Sequence, residues 1–312
     1  MTESERNLGI SAKRYTELAG FDGDWRDTWW HQDYLELLAT RLRFDEVRSV
    51  LDVGCGAGHW GHRISTLLEP GASIVGVDHE EGFLDAARER AKRFGHHDFT
   101  YRQGDGLELP FDDGTFDLVT CQTVLIHVAD AKAVLAEMTR VAKPGGLVVA
   151  AEPNNVANAF MYRVGEPEFP FEDTLRLLRF ERTCIVGKAK LGQGDSGIGE
   201  RLPSLMLDLG LTHRQVYKND RCATWLPPYE SPAEKLSVEM LERTEGQQAW
   251  GYGGRETTEK IFTAGGGDLA ELDELWELAM RYDQHMRQTV RDHTWRFTGG
   301  LLMYLSAGRK PS

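Results

Sequence analysis

Residues 49–61, S-V-L-D-V-G-C-G-A-G-H-W-G, constrain the fold of this chain more than any other stretch. Val50, Leu51 and Val53 form a short run of strand-forming apolar residues, glycines alternate at Gly54, Gly56 and Gly58, and a helical pattern resumes over 60–68. Strand, tight turn and helix follow one another. Glycine serves such a turn in two ways: it enters backbone angles closed to residues with a Cβ, and it lets a ligand approach the main chain. The amides at the start of the helix then face that ligand. The spacing G-x-G-x-G differs from the dinucleotide fingerprint G-x-G-x-x-G, whose third glycine position is held here by His59. Asp52, two residues before the first glycine, places a carboxylate where an ammonium group would be welcome.

The 312 residues suffice for one enlarged α/β domain or two small ones. A hydrophobic share of 41% and a charged share of 27% are ordinary for a globular chain, so composition adds no special class. The net charge of -13 argues against a nucleic-acid groove. Cys55, Cys121, Cys184 and Cys222 form no C-x-x-C pair and read as reduced, mostly buried residues of a cytoplasmic protein. With no H-E-x-x-H and no carboxylate cluster, no metal is expected. The start, M-T-E-S-E-R-N, lacks the apolar core of a signal peptide, and no apolar run approaches the roughly 20 residues that span a bilayer. The expectation is a soluble protein with neither membrane nor nucleic acid as partner.

Upstream of the glycine turn, helical spacing over 34–42 follows F-D-G-D-W-R-D-T-W-W. Trp25, Trp29 and Trp30 suit a packed amphipathic segment, and equally an N-terminal helix that folds over a ligand together with Tyr15. Downstream, Pro70-Gly71 stops the first helix, 73–77 is a second strand, and Asp78 stands at its end, 20 residues beyond Gly58. A carboxylate there can accept both hydroxyls of a ribose or cap a helix over 80–94, and the two roles are compatible. A third strand, 99–103, leads into Gly104-Asp105-Gly106, and a turn over 112–115 feeds a fourth strand over 116–121. A helix over 130–141, capped by Asp130, gives way to K-P-G-G and a fifth strand over 147–151. Such alternation implies a parallel sheet covered on both faces.

The ordered landmarks D-V-G-C-G-A-G, V-D at the second strand, G-D-G after the third, L-P-F-D-D-G-T-F-D-L-V at the fourth and K-P-G-G before the fifth resemble the small-molecule class I S-adenosylmethionine-dependent methyltransferases. The resemblance covers 49–155. It implies an α/β fold: a seven-stranded Rossmann-like methyltransferase sheet whose last strand is antiparallel, with a helical lid and insertions. After a helix over 198–209, 211–219 fits the sixth strand and 300–306 the seventh. The organisation expected is an N-terminal helical lid over 1–45, a cofactor-binding core over 46–155, a substrate-cover insertion over 156–195, a core continuation over 196–228, a helical insertion over 229–293, and the seventh strand and tail over 294–312. The insertions, with helices over 232–243 and 268–291, suit a substrate cover or an oligomer interface such as that of a homodimer.

The same resemblance implies S-adenosylmethionine as cofactor, its methionine portion held by Gly54, Gly56 and Gly58 with Asp52 near the ammonium. Asp78 would bind the ribose and His79 lie against the adenine. Asp105, followed by Gly106, would accept from the exocyclic amine, and Gln122 would line the cofactor side of the reacting centre. Methyl transfer from a sulfonium is an in-line displacement, for which a protein supplies alignment, desolvation and, where the nucleophile carries a proton, a base. His127, five residues beyond Gln122, is the first candidate for base or orienter, or else a histidine packed at a strand–helix junction. Tyr15 is the second, as a lid residue near the sulfonium. Glu152, Asn154 and Asn155 could contact substrate or cap the next segment, and His31, Tyr162 and Tyr252 are further candidates. The expected reaction methylates oxygen or nitrogen of a small molecule such as a secondary metabolite, with carbon third. T-C-Q-T at the end of the fourth strand, in place of an N-P-P-Y tetrad, disfavours the planar nitrogens of bases. A non-catalytic cofactor-binding partner subunit and a nicotinamide-dependent oxidoreductase are the competing readings.

Overall fold

The computed structural model of the chain describes residues 24–96, 98–164, 169–243 and 254–312. These fall into two compact units: a sheet unit of 26–154, 197–220 and 303–312, and a second unit built chiefly from 155–196 and 221–302. The strands, in chain order, are β1 Ser49–Val53, β2 Ser73–Asp78, β3 Phe99–Gln103, β4 Phe116–Gln122, β5 Ala142–Pro153, β6 Thr212–Lys218, β7 Ala223–Trp225, β8 Phe297–Gly299 and β9 Met303–Arg309.

In the sheet unit the order is β3-β2-β1-β4-β5-β9-β6. Neighbours pair in parallel except at β9, which is antiparallel to both β5 and β6. This is the seven-stranded sheet with an antiparallel last strand that the sequence implies. β1 lies between β2 and β4 with Val50 to Val53 all buried, which is why its apolar run does not alternate. On one face Leu51, Val53, Val119 and Val148 meet Leu135 and Met138 of the helix Ala131–Val141 and Leu202 and Met206 of the helix Ile198–Asp208. Asp130 caps the first of these helices, accepting from the Ala133 amide at 2.9 Å. Trp60, in the helix His59–Ser65, donates its indole N–H to Thr120 Oγ1 of β4 at 2.9 Å.

Two boundaries differ from expectation for one reason, the register of β5. The K-P-G-G segment lies within the strand instead of before it: Ala142 sits beside Phe116 and Leu147 beside Leu118, with K-P-G-G in the register shift between them. β9 correspondingly starts at Met303, since its ladder with β5 runs out to Arg309 opposite Leu147, and Lys310 then donates to the carbonyls of Arg140 and Ala142. The chain moves from β1 to β2 and β3 on one side, then to β4 on the other. That reversal opens a crevice at the carboxyl ends of β1 and β4, where open α/β sheets bind ligands.

The second unit holds the helices Asn155–Val164, Phe171–Lys190, Pro232–Arg243, Arg255–Gly265 and Leu269–Arg291, with β7 antiparallel to β8. Its main core joins Leu177, Phe180 and Cys184 to Ile261, Phe262, Leu275 and Tyr282. Cys55, Cys121 and Cys184 are buried, Cys222 is exposed, and all four are free thiols. Among the described residues no helix is long and apolar enough to cross a membrane, and no three ligating side chains cluster as a metal site.

Candidate active site

The glycine turn after β1 uses the freedom its composition offers: Gly54, Gly56 and Gly58 have φ of 64, 52 and 80°. Cys55 donates its amide to the Val77 carbonyl at 2.9 Å, and Gly58 to the Cys55 carbonyl at 2.9 Å. Asp78 completes the clasp. Its Oδ2 accepts from the Gly56 amide at 2.9 Å and its Oδ1 from the Glu80 amide at 3.1 Å. The helix Glu81–Arg93 starts beyond it, with Glu80 at the N-cap making no side-chain bond. A carboxylate offers about four lone-pair sites, so two amides leave Asp78 capacity for hydroxyl donors.

His79 Nδ1 lies 3.3 Å from Asp78 Oδ1, and its Nε2 lies 3.4 Å from Glu80. Desolvation alone would lower the imidazole pKa, but the Asp78 bond and the charges of Asp78, Glu80 and Asp105 together hold it above the ordinary value. Asp105 is exposed and accepts from the Leu107 amide at 2.9 Å, with half-buried Gly106 between them. Asp78, His79 and Asp105 therefore gather at the carboxyl ends of β2 and β3.

Asp52 is 1% exposed, and neither carboxyl oxygen has a hydrogen-bond partner among the described residues. Burial pushes its pKa up to about 8 from 3.8; the adjacent Asp78 charge adds to the rise, and only the Gly61 main chain works against it. The folded state thus keeps a proton that the unfolded chain gives up near pH 4. This contribution to stability is complete below about pH 4 and is lost as pH rises toward 8. Asp52→Asn, of the same shape but without that proton, is expected to flatten the decline and to exceed the wild type by about 1–3 kcal/mol at pH 8. Urea midpoints at pH 5.5 and 8 measure this, and parallel declines in the two proteins would contradict it.

At the end of β4, Gln122 is buried and followed by Thr123 with φ of 55°. Glu152, at the end of β5, is fully buried. Its Oε1 accepts from the amides of Val124 and Leu125 at 2.7 and 2.8 Å, and its Oε2 from that of Ile126 at 3.2 Å. It serves the protein's own loop instead of standing at an open surface. Half-buried His127 closes the loop with its amide on the Val124 carbonyl at 2.9 Å. Asn154 donates to Glu200 at 2.9 Å, and His31 bonds Asp220 at 2.5 Å. Tyr15, Tyr252 and the side chain of Tyr162 lie outside the described residues.

Two residues of this site escape sequence reading. Arg26 donates to Thr123 Oγ1 at 3.1 Å, while Asp27 bonds His59 Nδ1 at 3.2 Å and also pairs with Arg90. Both sit in a single 3-10 turn, Asp24–Thr28. Their partners are 32 to 97 residues away, and W-R-D-T gives no local sign of them.

Residues 45–189 match a family described as a methyltransferase domain. That segment is similar to a methyltransferase domain. The demethylmenaquinone methyltransferase of Bacillus cytotoxicus is 40% identical over 102 residues, 33% of this chain and 43% of the relative. That of Lactococcus lactis is 36% identical over 107 residues, 34% of this chain and 42% of the relative. The chain thus spans less than half the length of these curated relatives. Among solved structures, the YcgJ protein from Bacillus subtilis superposes with a TM-score of 0.50 at 18% identity, covering 90% of this chain and 100% of that one, which shows the fold. The cofactor of class I domains is S-adenosylmethionine, and the described residues fit it. The turn has left-handed glycines at all three positions, and behind it lies a buried carboxyl without a partner.

Proposed function

We propose that the protein transfers the methyl group of S-adenosylmethionine to a small-molecule acceptor in the crevice between the glycine turn and the loop after β4. The observation that carries this reading is that turn itself, standing at the point where the strand order reverses in a domain of methyltransferase family. When bound, the cofactor supplies an electrophilic methyl on a sulfonium. The chain's part is to hold and align. Gly54, Gly56 and Gly58 admit the methionine portion, Asp52 is the carboxyl nearest in kind to its ammonium, Asp78 takes the ribose, and His79 with Asp105 and Gly106 flanks the adenine. Gln122 and His127 stand at the end of β4, where His127 would orient the acceptor or take its proton. The position a dinucleotide fold gives to its third glycine is occupied by buried His59, bonded to Asp27, which disfavours nicotinamide.

The chain leaves the sheet unit after Asn154 and after Asp220, and we assign the second unit to acceptor selection. The relatives' names put a demethylated quinone first on an acceptor panel, beside hydroxyl and amine acceptors, so the panel also decides between carbon, oxygen and nitrogen. A homodimer remains for sedimentation to decide.

Titration with S-adenosylmethionine, S-adenosylhomocysteine and NADH tests the reading. At 100 times its dissociation constant a ligand stabilises the folded state by about 2.7 kcal/mol, visible as a raised melting midpoint. Binding of both adenosyl compounds but not NADH is expected, and NADH binding alone would move the protein to the oxidoreductases. With an acceptor in hand, His127→Asn should lower kcat at least about 100-fold, the range of a general base, at unchanged cofactor affinity. Full activity would return His127 to a packing role.

A further inference from the structure

The loop after β4 is held more firmly than its length requires. Thr123 is β-branched and sits at φ of 55°, a left-handed conformation that such a residue keeps only where its surroundings impose it. The surroundings do impose it. The Thr123 amide donates to the Ala151 carbonyl at 3.0 Å, and its hydroxyl donates to the Gln122 carbonyl at 2.7 Å while accepting from Arg26 at 3.1 Å. The next three amides all converge on the Glu152 carboxylate. Cys121 adds a thiol 3.9 Å from Oε1, and the Arg26 charge acts on the same carboxylate. Such convergence on a buried carboxylate is an anion nest turned inward, its anion supplied by the neighbouring strand.

We propose that Glu152 and Arg26 are positioning residues of the methyl-transfer site, fixing loop 123–127 in its strained form so that Gln122 and His127 are presented in one geometry. The inference rests on the methyltransferase reading. Neither residue needs to touch substrate. Glu152 binds the loop from below through its amides, and Arg26 binds it through the Thr123 hydroxyl, so loss of either frees the loop without removing a strand.

The test compares wild type with Glu152→Gln, Arg26→Ala and Arg26→Lys by amide hydrogen exchange over 122–127, β1 and β5, and by calorimetric titration with S-adenosylmethionine. Glu152→Gln puts an amide nitrogen where one acceptor stood, and Arg26→Ala provides a second variant at a half-buried position, should the first fail to fold. Expected are exchange rates about 10–100-fold faster in 122–127 for both variants and largely restored rates in Arg26→Lys. Rates in β1 and β5 should be unchanged, with cofactor affinity within threefold of wild type. Unchanged loop exchange in both variants would overturn the proposal, as would acceleration spread equally over β1 and β5, which marks a merely structural role. A wild type that binds no S-adenosylmethionine sinks the methyltransferase reading instead, and the loop exchange still reports on the clamp alone.

Discussion

Gly187→Ala is expected to destabilise the second unit by about 3–4 kcal/mol, at the upper end for adding a single methyl group. A Cβ at this position would stand 1.7 Å from the Ile261 carbonyl oxygen and 2.7 Å from its carbon. The reciprocal contact is as close, because a Cβ on Gly265 would stand 2.0 Å from the Thr183 carbonyl oxygen. The helices Phe171–Lys190 and Arg255–Gly265 thus cross with their backbones touching, and the obstructing atoms are main chain that no rotamer change can move. Admitting the methyl separates Leu177, Phe180 and Cys184 from Ile261 and Phe262, which lose contacts on both sides. Urea unfolding, with amide exchange over 171–190, measures the loss. A midpoint equal to that of wild type would mean that the helices do not meet there.

Gly54→Ala should weaken S-adenosylmethionine binding by at least about 100-fold, roughly 2.7 kcal/mol. Two effects add. At φ of 64° any residue with a Cβ carries the left-handed penalty of about 1–2 kcal/mol. The new Cβ would also stand 2.5 Å from Val124 Cγ2 and 3.0 Å from Cγ1, and Val124 cannot retreat while its amide is held by Glu152. The turn itself must therefore shift. Gly71→Ala is the control: its φ is 86° but nothing lies within 4 Å of the added carbon, so it should carry the backbone penalty and leave binding intact. Calorimetry on both variants decides, and equal affinities would remove the turn from the binding site.

The sheet and its glycine turn were legible because each strand announces itself locally. Val50, Leu51 and Val53 make a short apolar run buried on both faces, and Asp130 caps a helix whose apolar residues recur at helical spacing. The helix Arg255–Gly265 was not legible, since only Thr258, Ile261 and Phe262 are buried in an otherwise polar stretch between glycine-rich segments. β7 and β8 are three residues each and pair across more than 70 positions, so neither carries a pattern of its own. At the site, the landmark residues Asp52, Asp78 and Asp105 could be picked out because they adjoin strands and glycines. The support of Glu152 could not, because its partners lie 26 to 28 residues back in a loop without distinctive composition. Asp78 shows both sides of the matter: its position suggested ribose or capping, and the structure adds a third engagement, the Gly56 amide.

The place of β9 has a consequence for how the protein is made. β5 ends at Pro153, and the strand that covers its free edge begins at Met303, roughly 150 residues later. At synthesis rates of about 5–20 residues per second, that edge emerges roughly 8–30 s before its partner does. β6 is in the same position, since among the described residues its one partner in the sheet is β9. During that interval the nascent sheet presents an apolar strand with an unpaired edge, the kind that templates association with other chains. β9, made after both, is thus the strand that joins β6 to the sheet and closes the β5 edge, and until it arrives both edges stand open.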